Sequence, residues 1–381
     1  MNEITLIAAL SFGLEAVVKR ELHALGFETT HVTDGKVEFE ATPGDIPRAN
    51  LWLRSADRVL LKMGEFPALT FDELFEQTKA LPWEAWITED GKFTVTGKAV
   101  KSTLGSVRAC QAIVKKAVVE RLKEQYHRDW FAETGPEFTI QVSMLKDMAM
   151  LTLDTSGSGL NKRGYRQRSC EAAIKETLAA ALVLLSVWNK DRLLIDPMCG
   201  SGTIVIEAAL IGRNIAPGLR RKFASEGWPA IAPEAWQQAR LAARQAIDKE
   251  GSLQIFGYDI DEASIDASKL NARHAGVGDD IVFEHKDVKD LWIDKQYGIV
   301  ISNPPYGIKM GEFQALNQIY ISLNKTFKKK KGWSIYILTA DAKFPDYFKR
   351  AQPDRVRKLH NGPIEVNYYQ YFGERPPDLA R

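Results

Sequence analysis

An alternation of short apolar runs with helical stretches, beginning after residue 190, constrains this chain more than any other feature. Runs of strand length stand at Leu193–Pro197, Gln254–Ile260, Ile281–His285, Gly298–Ser302 and Trp333–Thr339. Each is separated from the next by enough chain for a helix. Strands alternating with helices pair in parallel, because the crossover returns the chain to the same end of the sheet. A final pair, Arg355–His360 and Glu365–Phe372, joined through Asn361-Gly362-Pro363, predicts an antiparallel hairpin that closes the sheet. A long apolar helix is expected to begin at Glu171. The expectation is a doubly wound, seven-stranded α/β sheet, with ligands bound beyond the carboxyl ends of its strands.

The preceding residues read differently. Strand-like runs at Ile4–Ala9, Thr29–Val32, Lys36–Glu40 and Arg58–Gly64 alternate with amphipathic stretches at Leu14–Leu25, Asp45–Leu53 and Phe71–Ala80. A further strand, Lys92–Ala99, a helix, Leu104–Glu124, and two strands, Glu137–Ser143 and Met148–Asp154, follow. These are small α+β layers, and 381 residues suit two or three domains. The Gly/Ser run Ser156–Gly159 marks a boundary near residues 155–165. Hydrophobic residues at 45% and charged residues at 26% exclude a disordered or collagen-like chain. The longest apolar stretch, Thr177–Trp188, falls short of the roughly 20 residues of a membrane span, and no basic segment precedes the apolar start. Cys110, Cys170 and Cys199 form neither a metal-binding pattern nor an even disulfide set. These features predict a cytoplasmic protein without metal or membrane partner.

Charge is unevenly spread. Residues 1–100 carry a net −6, 101–250 a net +6, 251–300 a net −5 and 301–381 a net +7. The basic clusters are Lys162 to Arg168, Arg220 to Lys222 and Lys328 to Lys331. The last reads as a solvated helix end, since cations favour helix C-termini. In the first, Lys162, Arg163, Arg166 and Arg168 surround Tyr165, a mixture suited to phosphate and base contacts with RNA.

Chemistry concentrates at the strand ends. Asp196-Pro197-Met198-Cys199-Gly200-Ser201-Gly202-Thr203, before an apolar helix at Ile204–Ile211, is a strand, a glycine-rich turn and a helix start. No Lys follows Gly202 as a phosphate loop requires, and Val205 stands where a dinucleotide fingerprint needs Gly or Ala. Asp196 would repel a pyrophosphate but suits a ligand bearing an ammonium or sulfonium charge. Asp259, ending the second strand ahead of Ile260, can accept two hydrogen bonds from a ribose diol. It follows Asp196 by 63 residues because of the insertion Arg213–Glu250, which carries Trp228 and Trp236. Asp287, before Val288, can accept from an adenine amino group or merely cap a turn. After the fourth strand comes Asn303-Pro304-Pro305-Tyr306-Gly307. Its prolines lack N–H donors, so carbonyl acceptors remain beside the Asn303 oxygen, an arrangement that holds an amino group and favours the positive charge of attack. Tyr306 adds a stacking face for a flipped base.

The aspartate–glycine turn followed by Asn-Pro-Pro-Tyr resembles the class I S-adenosylmethionine-dependent methyltransferases of exocyclic amines, with their Rossmann-like domain. Leu160–Tyr165, Ala173–Ala180 and Arg213–Gly218 resemble the catalytic domain of RNA methyltransferases that carry an N-terminal THUMP domain, and Ser11–Glu15 the ferredoxin-like domain before it. The resemblance implies a ferredoxin-like domain over residues 1–65, THUMP over 66–157 and the methyltransferase domain over 158–381. It is nearest to the bacterial 23S rRNA guanine-N2 group, without the additional C-terminal methyltransferase domain some members carry. A related branch acts on tRNA. The implied cofactor is S-adenosylmethionine, bound by Thr177, Asp196, Met198, Gly200, Ser201, Gly202, Thr203, Asp259, Ile260, Asp287, Val288 and Asn303. Met198 replaces a more usual Phe. The implied substrate is RNA, 23S rRNA or a ribosomal precursor, with Asn303, Pro304, Pro305 and Tyr306 at the target amine. The implied reaction is an in-line displacement at the cofactor methyl, in which positioning carries most of the rate. No histidine is needed as base; His274 and His285 read as structural or exposed. Adenine-N6 methylation of RNA or DNA is the rival within enzymes, and an inactive RNA-binding adaptor the rival outside them.

Overall fold

The computed structural model describes residues 3–169, 173–306, 313–327, 330, 332–349 and 352–374. Cys170, Glu171, Gly307 and most of the Lys328–Lys331 cluster therefore lie outside the described residues. The chain divides into two compact units: Met1–Leu10, Lys19–Leu160 and Arg221–Ala242 in one, Ser11–Val18, Asn161–Arg220 and Ala243–Arg381 in the other.

The first unit is built on β1 (Ile4–Leu10), the part of α1 (Glu15–Ala24) from Lys19 onward, β2 (Thr29–Thr33), β3 (Lys36–Ala41), α2 (Ile46–Trp52), β4 (Ala56–Pro67), α3 (Phe71–Lys79), β5 (Lys92–Val100), α4 (Val107–Tyr126), β6 (Glu137–Leu145) and β7 (Met148–Asp154). Its strands form one sheet in the order β2-β3-β1-β4-β7-β6-β5. The two small layers expected from sequence are thus joined. The strand β4, twelve residues long, pairs β1 along one edge and β7 along the other, Leu61 facing both Leu6 and Leu153. The β6–β7 turn puts Lys146 and Asp147 at φ of 50° and 64°, the two left-handed positions a tight hairpin requires.

The Gly/Ser run is not a loose linker. Ser156 is buried, accepts from the Val59 amide at 2.8 Å and donates to Asn50 at 2.7 Å. Asp154 accepts from the amides of Ser156 and Gly157 and pairs with Arg58. These hydrogen bonds, with those the carbonyls of Ser158 and Gly159 accept from Arg221, explain why the run is fixed.

The second unit contains α5 (Glu176–Leu185), β8 (Leu194–Asp196), α6 (Thr203–Gly212), the end of α7 (Pro233–Gln245), β9 (Ile255–Asp259), α8 (Glu262–Ala275), β10 (Ile281–His285), β11 (Ile299–Ser302), α9 (Phe313–Phe327), β12 (Ser334–Thr339), α10 (Phe344–Phe348), β13 (Arg355–Asn361) and β14 (Ile364–Tyr371). The strand order is β10-β9-β8-β11-β12-β14-β13, the first five parallel and β14 antiparallel to both neighbours. Every residue of β8, β11 and β12 is buried, as a parallel sheet covered on both faces demands. Tyr320, Phe327, Trp333, Phe344 and Phe348 fill one face. The apolar helix expected from Glu171 begins only at Glu176, with Lys175 extended ahead of it.

Residues 221–242 depart from the continuous 158–381 domain expected from sequence, since they pack within the first unit. Trp228 stacks on Phe138 at 4.9 Å, meets Trp86 edge-on at 6.3 Å and donates from Nε1 to the Glu137 carbonyl at 3.1 Å. Ser225 bonds the Thr155 carbonyl through both its amide and its hydroxyl. The insertion's two tryptophans, Trp228 and Trp236, are both buried and serve as anchors. Trp228→Ala should cost about 3–5 kcal/mol, the usual cost of deleting a large buried aromatic. Calorimetric unfolding of the full chain would register it as an early transition, and an unchanged thermogram would refute the anchoring role.

Candidate functional site at the strand ends

The site lies where the sheet order reverses: β8 has β9 on one side and β11 on the other, so the connections leave in opposite directions. The turn after β8 is shaped by two glycines with left-handed φ, Gly200 at 53° and Gly202 at 80°. A Cβ on Gly202 would lie 2.8 Å from Ser268 Cβ, so this glycine permits α6 to pack against α8. A Cβ on Gly200 would meet nothing within 4 Å. Its glycine serves the backbone turn and leaves open space beside it.

Asp196 is buried and accepts from Ser302 Oγ at 2.7 Å and the Met198 amide at 3.1 Å. Burial, helped by nearby Asp259, pushes its carboxyl up to about 7 against the pull of those two donors. Asp259 accepts from the Gly200 amide at 2.8 Å through one oxygen and from the Asp261 amide at 3.0 Å through the other. It thus ties the end of β9 to the glycine turn. Beside it, Ile260 is 65% exposed, an apolar side chain at a strand end. Asp287 caps the turn after β10 by accepting from the Lys289 amide at 2.9 Å, and pairs with Lys289 Nζ at 2.8 Å. Burial would raise its carboxyl, but the Lys289 contacts outweigh it and hold the group below the usual carboxylate range. Val288 is buried, and Met198 packs against the core under the sheet.

The Asn-Pro-Pro-Tyr segment leaves β11 immediately after Ser302. Asn303 Oδ1 accepts from the Tyr306 hydroxyl at 2.7 Å, and that hydroxyl accepts from Asn361 Nδ2 at 3.2 Å. Burial lifts the Tyr306 phenol to about 12, so it stays protonated and able to donate. Pro304 is buried and Pro305 exposed. Thr177 is buried in the first turn of α5.

The basic cluster is where the sequence reading requires correction. Arg163 and Tyr165 are 3% and 2% exposed, and both reach Glu207, Arg163 Nε at 3.4 Å and Tyr165 Oη at 3.1 Å. Arg166 donates to Thr203 Oγ1 at 3.0 Å and the Ile174 carbonyl at 2.6 Å, and pairs with Glu176 at 3.1 Å. Arg163 and Tyr165 face inward because Glu207 is fully buried in an otherwise apolar helix and a buried carboxylate needs a cation and donors, while half-buried Arg166 is drawn to Glu176 and Thr203. Lys162 and Arg168 remain at the surface. A lone Glu in the run Thr203–Gly212 was the available sequence signal.

Three residues that sequence reasoning passed over complete the arrangement. Ser302 joins the glycine turn to the Asn303 segment. Asn361 reaches the same segment from the hairpin. Asn271, buried in α8, accepts from the amides of Gln167 and Arg168 and donates to the carbonyls of Arg168 and Ser201, holding the 161–169 segment against the glycine turn.

Residues 163–370 match the family model described as an RMKL-like methyltransferase domain, residues 5–60 that of the RlmL ferredoxin-like domain and residues 68–154 that of the THUMP domain. The chain is 49% identical over 383 residues to YpsC of Bacillus subtilis (strain 168), provisionally named an RNA methyltransferase; the match covers 100% of this chain and 99% of that one. A solved Listeria monocytogenes protein, described as a predicted N6-adenine-specific DNA methylase, is 48% identical with a TM-score of 0.94, covering 98% of this chain and 97% of that one. SMU.472, provisionally named a methyltransferase and solved with SAH, is 42% identical with a TM-score of 0.94, covering 99% and 100%. TrmN from Thermus thermophilus, 19% identical with a TM-score of 0.69, shares the fold over 97% of this chain and 99% of its own.

The Asp196 geometry sets a pH dependence for the ligand-free protein. Its folded value of about 7 exceeds the ordinary 3.8, so between those limits the folded state keeps a proton that the unfolded chain releases. Stability should therefore fall as pH rises through this window, by at most about 1.4 kcal/mol per pH unit. Asp196→Asn keeps an acceptor without the charge, and its unfolding midpoint should gain on the parent protein from pH 5 to pH 8. Parallel profiles for the two proteins would contradict the assignment.

Proposed function

We propose that this chain, which belongs to the RMKL-like methyltransferase-domain family, transfers a methyl group to the exocyclic N2 of a guanine in RNA, with 23S rRNA as the substrate. Its methyl donor is S-adenosylmethionine, which when bound supplies an electrophilic methyl whose bonding electrons return to sulfur on transfer. The residues present fit that group. The open space at Gly200 admits a ligand against the turn, Asp259 and Asp287 offer acceptors for a diol and an amine, and exposed Ile260 offers an apolar surface to a base. In this reading Thr177, Asp196, Met198, Gly200 to Thr203, Asp259, Ile260, Asp287 and Val288 hold the cofactor.

What carries the reading is the 2.7 Å hydrogen bond from Ser302 Oγ to Asp196 Oδ1. It fixes the segment that would hold the amine beside the turn that would hold the donor, and fixed geometry can supply roughly 7–11 kcal/mol of a barrier. Asn303 Oδ1 and the Pro304 carbonyl accept the amine hydrogens and favour the positive charge that grows on nitrogen during attack. Tyr306 stacks on the base. As the N–C bond forms, the amine proton passes to water or to these acceptors. The resemblance to guanine-N2 enzymes and the THUMP match support guanine in RNA. Lys162 and Arg168 are the exposed members of the basic cluster and the candidates for phosphate contact.

Adenine N6 is the second reading, favoured by the description of the Listeria relative. The two amines separate by mass spectrometry of nucleosides from 23S rRNA and tRNA of cells with and without the gene. Loss of N2-methylguanosine from 23S rRNA is expected; its persistence in both RNAs would reject the guanine assignment. In vitro, Asn303→Ala should slow transfer by about 10²–10³-fold, as for removal of one charge-stabilising group elsewhere, a loss in turnover that exceeds any loss of cofactor affinity from its place beside the cofactor. Asp259→Ala should instead weaken cofactor binding by about 10–100-fold, the weight of hydrogen bonds to a charged group. Calorimetric titration with the cofactor distinguishes the two, and an inactive adaptor would bind none.

A further inference from the structure

We infer that Asn361, at the end of β13, is a positioning residue for methyl transfer: its amide directs the Tyr306 hydroxyl proton and through it fixes which face of the Asn303 amide meets the substrate. This rests on the amine-methylating reading above. Neither the matching families nor the motifs point to Asn361, which the sequence marks only as a hairpin turn residue.

The argument is a count of protons and lone pairs. A phenol has one proton to donate. Asn361 Nδ2 lies 3.2 Å from Tyr306 Oη and can only donate to it, so the hydroxyl proton turns toward Asn303 Oδ1 at 2.7 Å. Asn303 must then present oxygen along this line. Rotated by half a turn, it would set an NH₂ against a hydroxyl that already accepts from Asn361, and one bond of the chain would be lost. An Asn303 held this way keeps its second oxygen lone pair for the base amine; a rotated one would offer that amine a donor. The hairpin fixes Asn361 in turn, through pairing with Ile364 across a turn where Gly362 has a φ of 64°. Two strands distant in sequence thus orient the acceptor that the chemistry needs.

The test is a double-mutant cycle on the full chain. Transfer of label from S-[methyl-³H]adenosylmethionine into total RNA of cells lacking the protein counts methyl groups whatever the base, and nucleoside digestion identifies the base separately. Asn361→Ala should lower kcat about tenfold, roughly the weight of one hydrogen bond, with RNA KM and cofactor Kd within about twofold of the parent. Asn361→Asp, nearly the same shape but acceptor-only, should lower kcat at least as far, because a carboxylate claims the phenol proton. In a Tyr306→Phe background, where no hydroxyl remains to be directed, Asn361→Ala should cause no further loss. An unchanged kcat in Asn361→Ala would overturn the inference, as would a loss that persists undiminished beside Tyr306→Phe. So would a loss matched by weaker cofactor binding or, in Asn361→Asp, a lowered unfolding midpoint. Label found on adenine N6 would sink the guanine assignment while the cycle is scored as before.

Discussion

The hydrogen bond between Ser302 and Asp196 is the constraint on which the site depends. It crosses between the ends of two adjacent parallel strands at the point where the sheet order reverses, with both side chains buried. A buried carboxylate is costly without donors, and these strand ends supply two, the Ser302 hydroxyl and the Met198 amide. Asp259 repeats the device one strand further along, bonding the glycine turn from the end of β9. The turn is therefore gripped from both sides. Its shape depends on the sheet and not only on its glycines.

The arginine-rich segment before α5 shows how a charged sequence can be structural. Glu207 sits fully buried within an apolar helix, and Arg163 and Tyr165 answer it. Arg166 binds Thr203, the first residue of the same helix. Asn271 clamps the segment's backbone to that of Ser201. A stretch that reads as a nucleic-acid contact surface instead secures the start of α6, leaving only Lys162 and Arg168 outside. A phosphate-facing role for those two would act on a segment already bonded to the glycine turn.

Legibility from sequence followed the range of the interactions. Short-range patterns were clear: the five parallel strands fall within a residue or two of their apolar runs, and β8, β11 and β12, buried on both faces, must be apolar throughout. The final hairpin was equally plain from its Asn-Gly-Pro turn. Long-range features were not. The pairing of β4 with both β1 and β7 in one sheet, the packing of Trp228 and Ser225 within the first unit, and the inward turn of Arg163 each require a partner far along the chain. Glu207, Ser302 and Asn271, polar residues within apolar or helical runs, were the hints that something distant must satisfy them.

The order of strands and helices, the glycine turn, the carboxylates at successive strand ends and the Asn-Pro-Pro-Tyr segment were determined by sequence alone. They are properties of residue type and spacing along one local stretch. Only tertiary structure decided that Ser302 would meet Asp196, that Asn361 would meet Tyr306, and that Arg163 and Tyr165 of the basic cluster would be buried. Hydrogen bonds and ion pairs of this kind depend on which elements lie side by side, and that is fixed by sheet order and packing rather than by neighbouring residues in the chain.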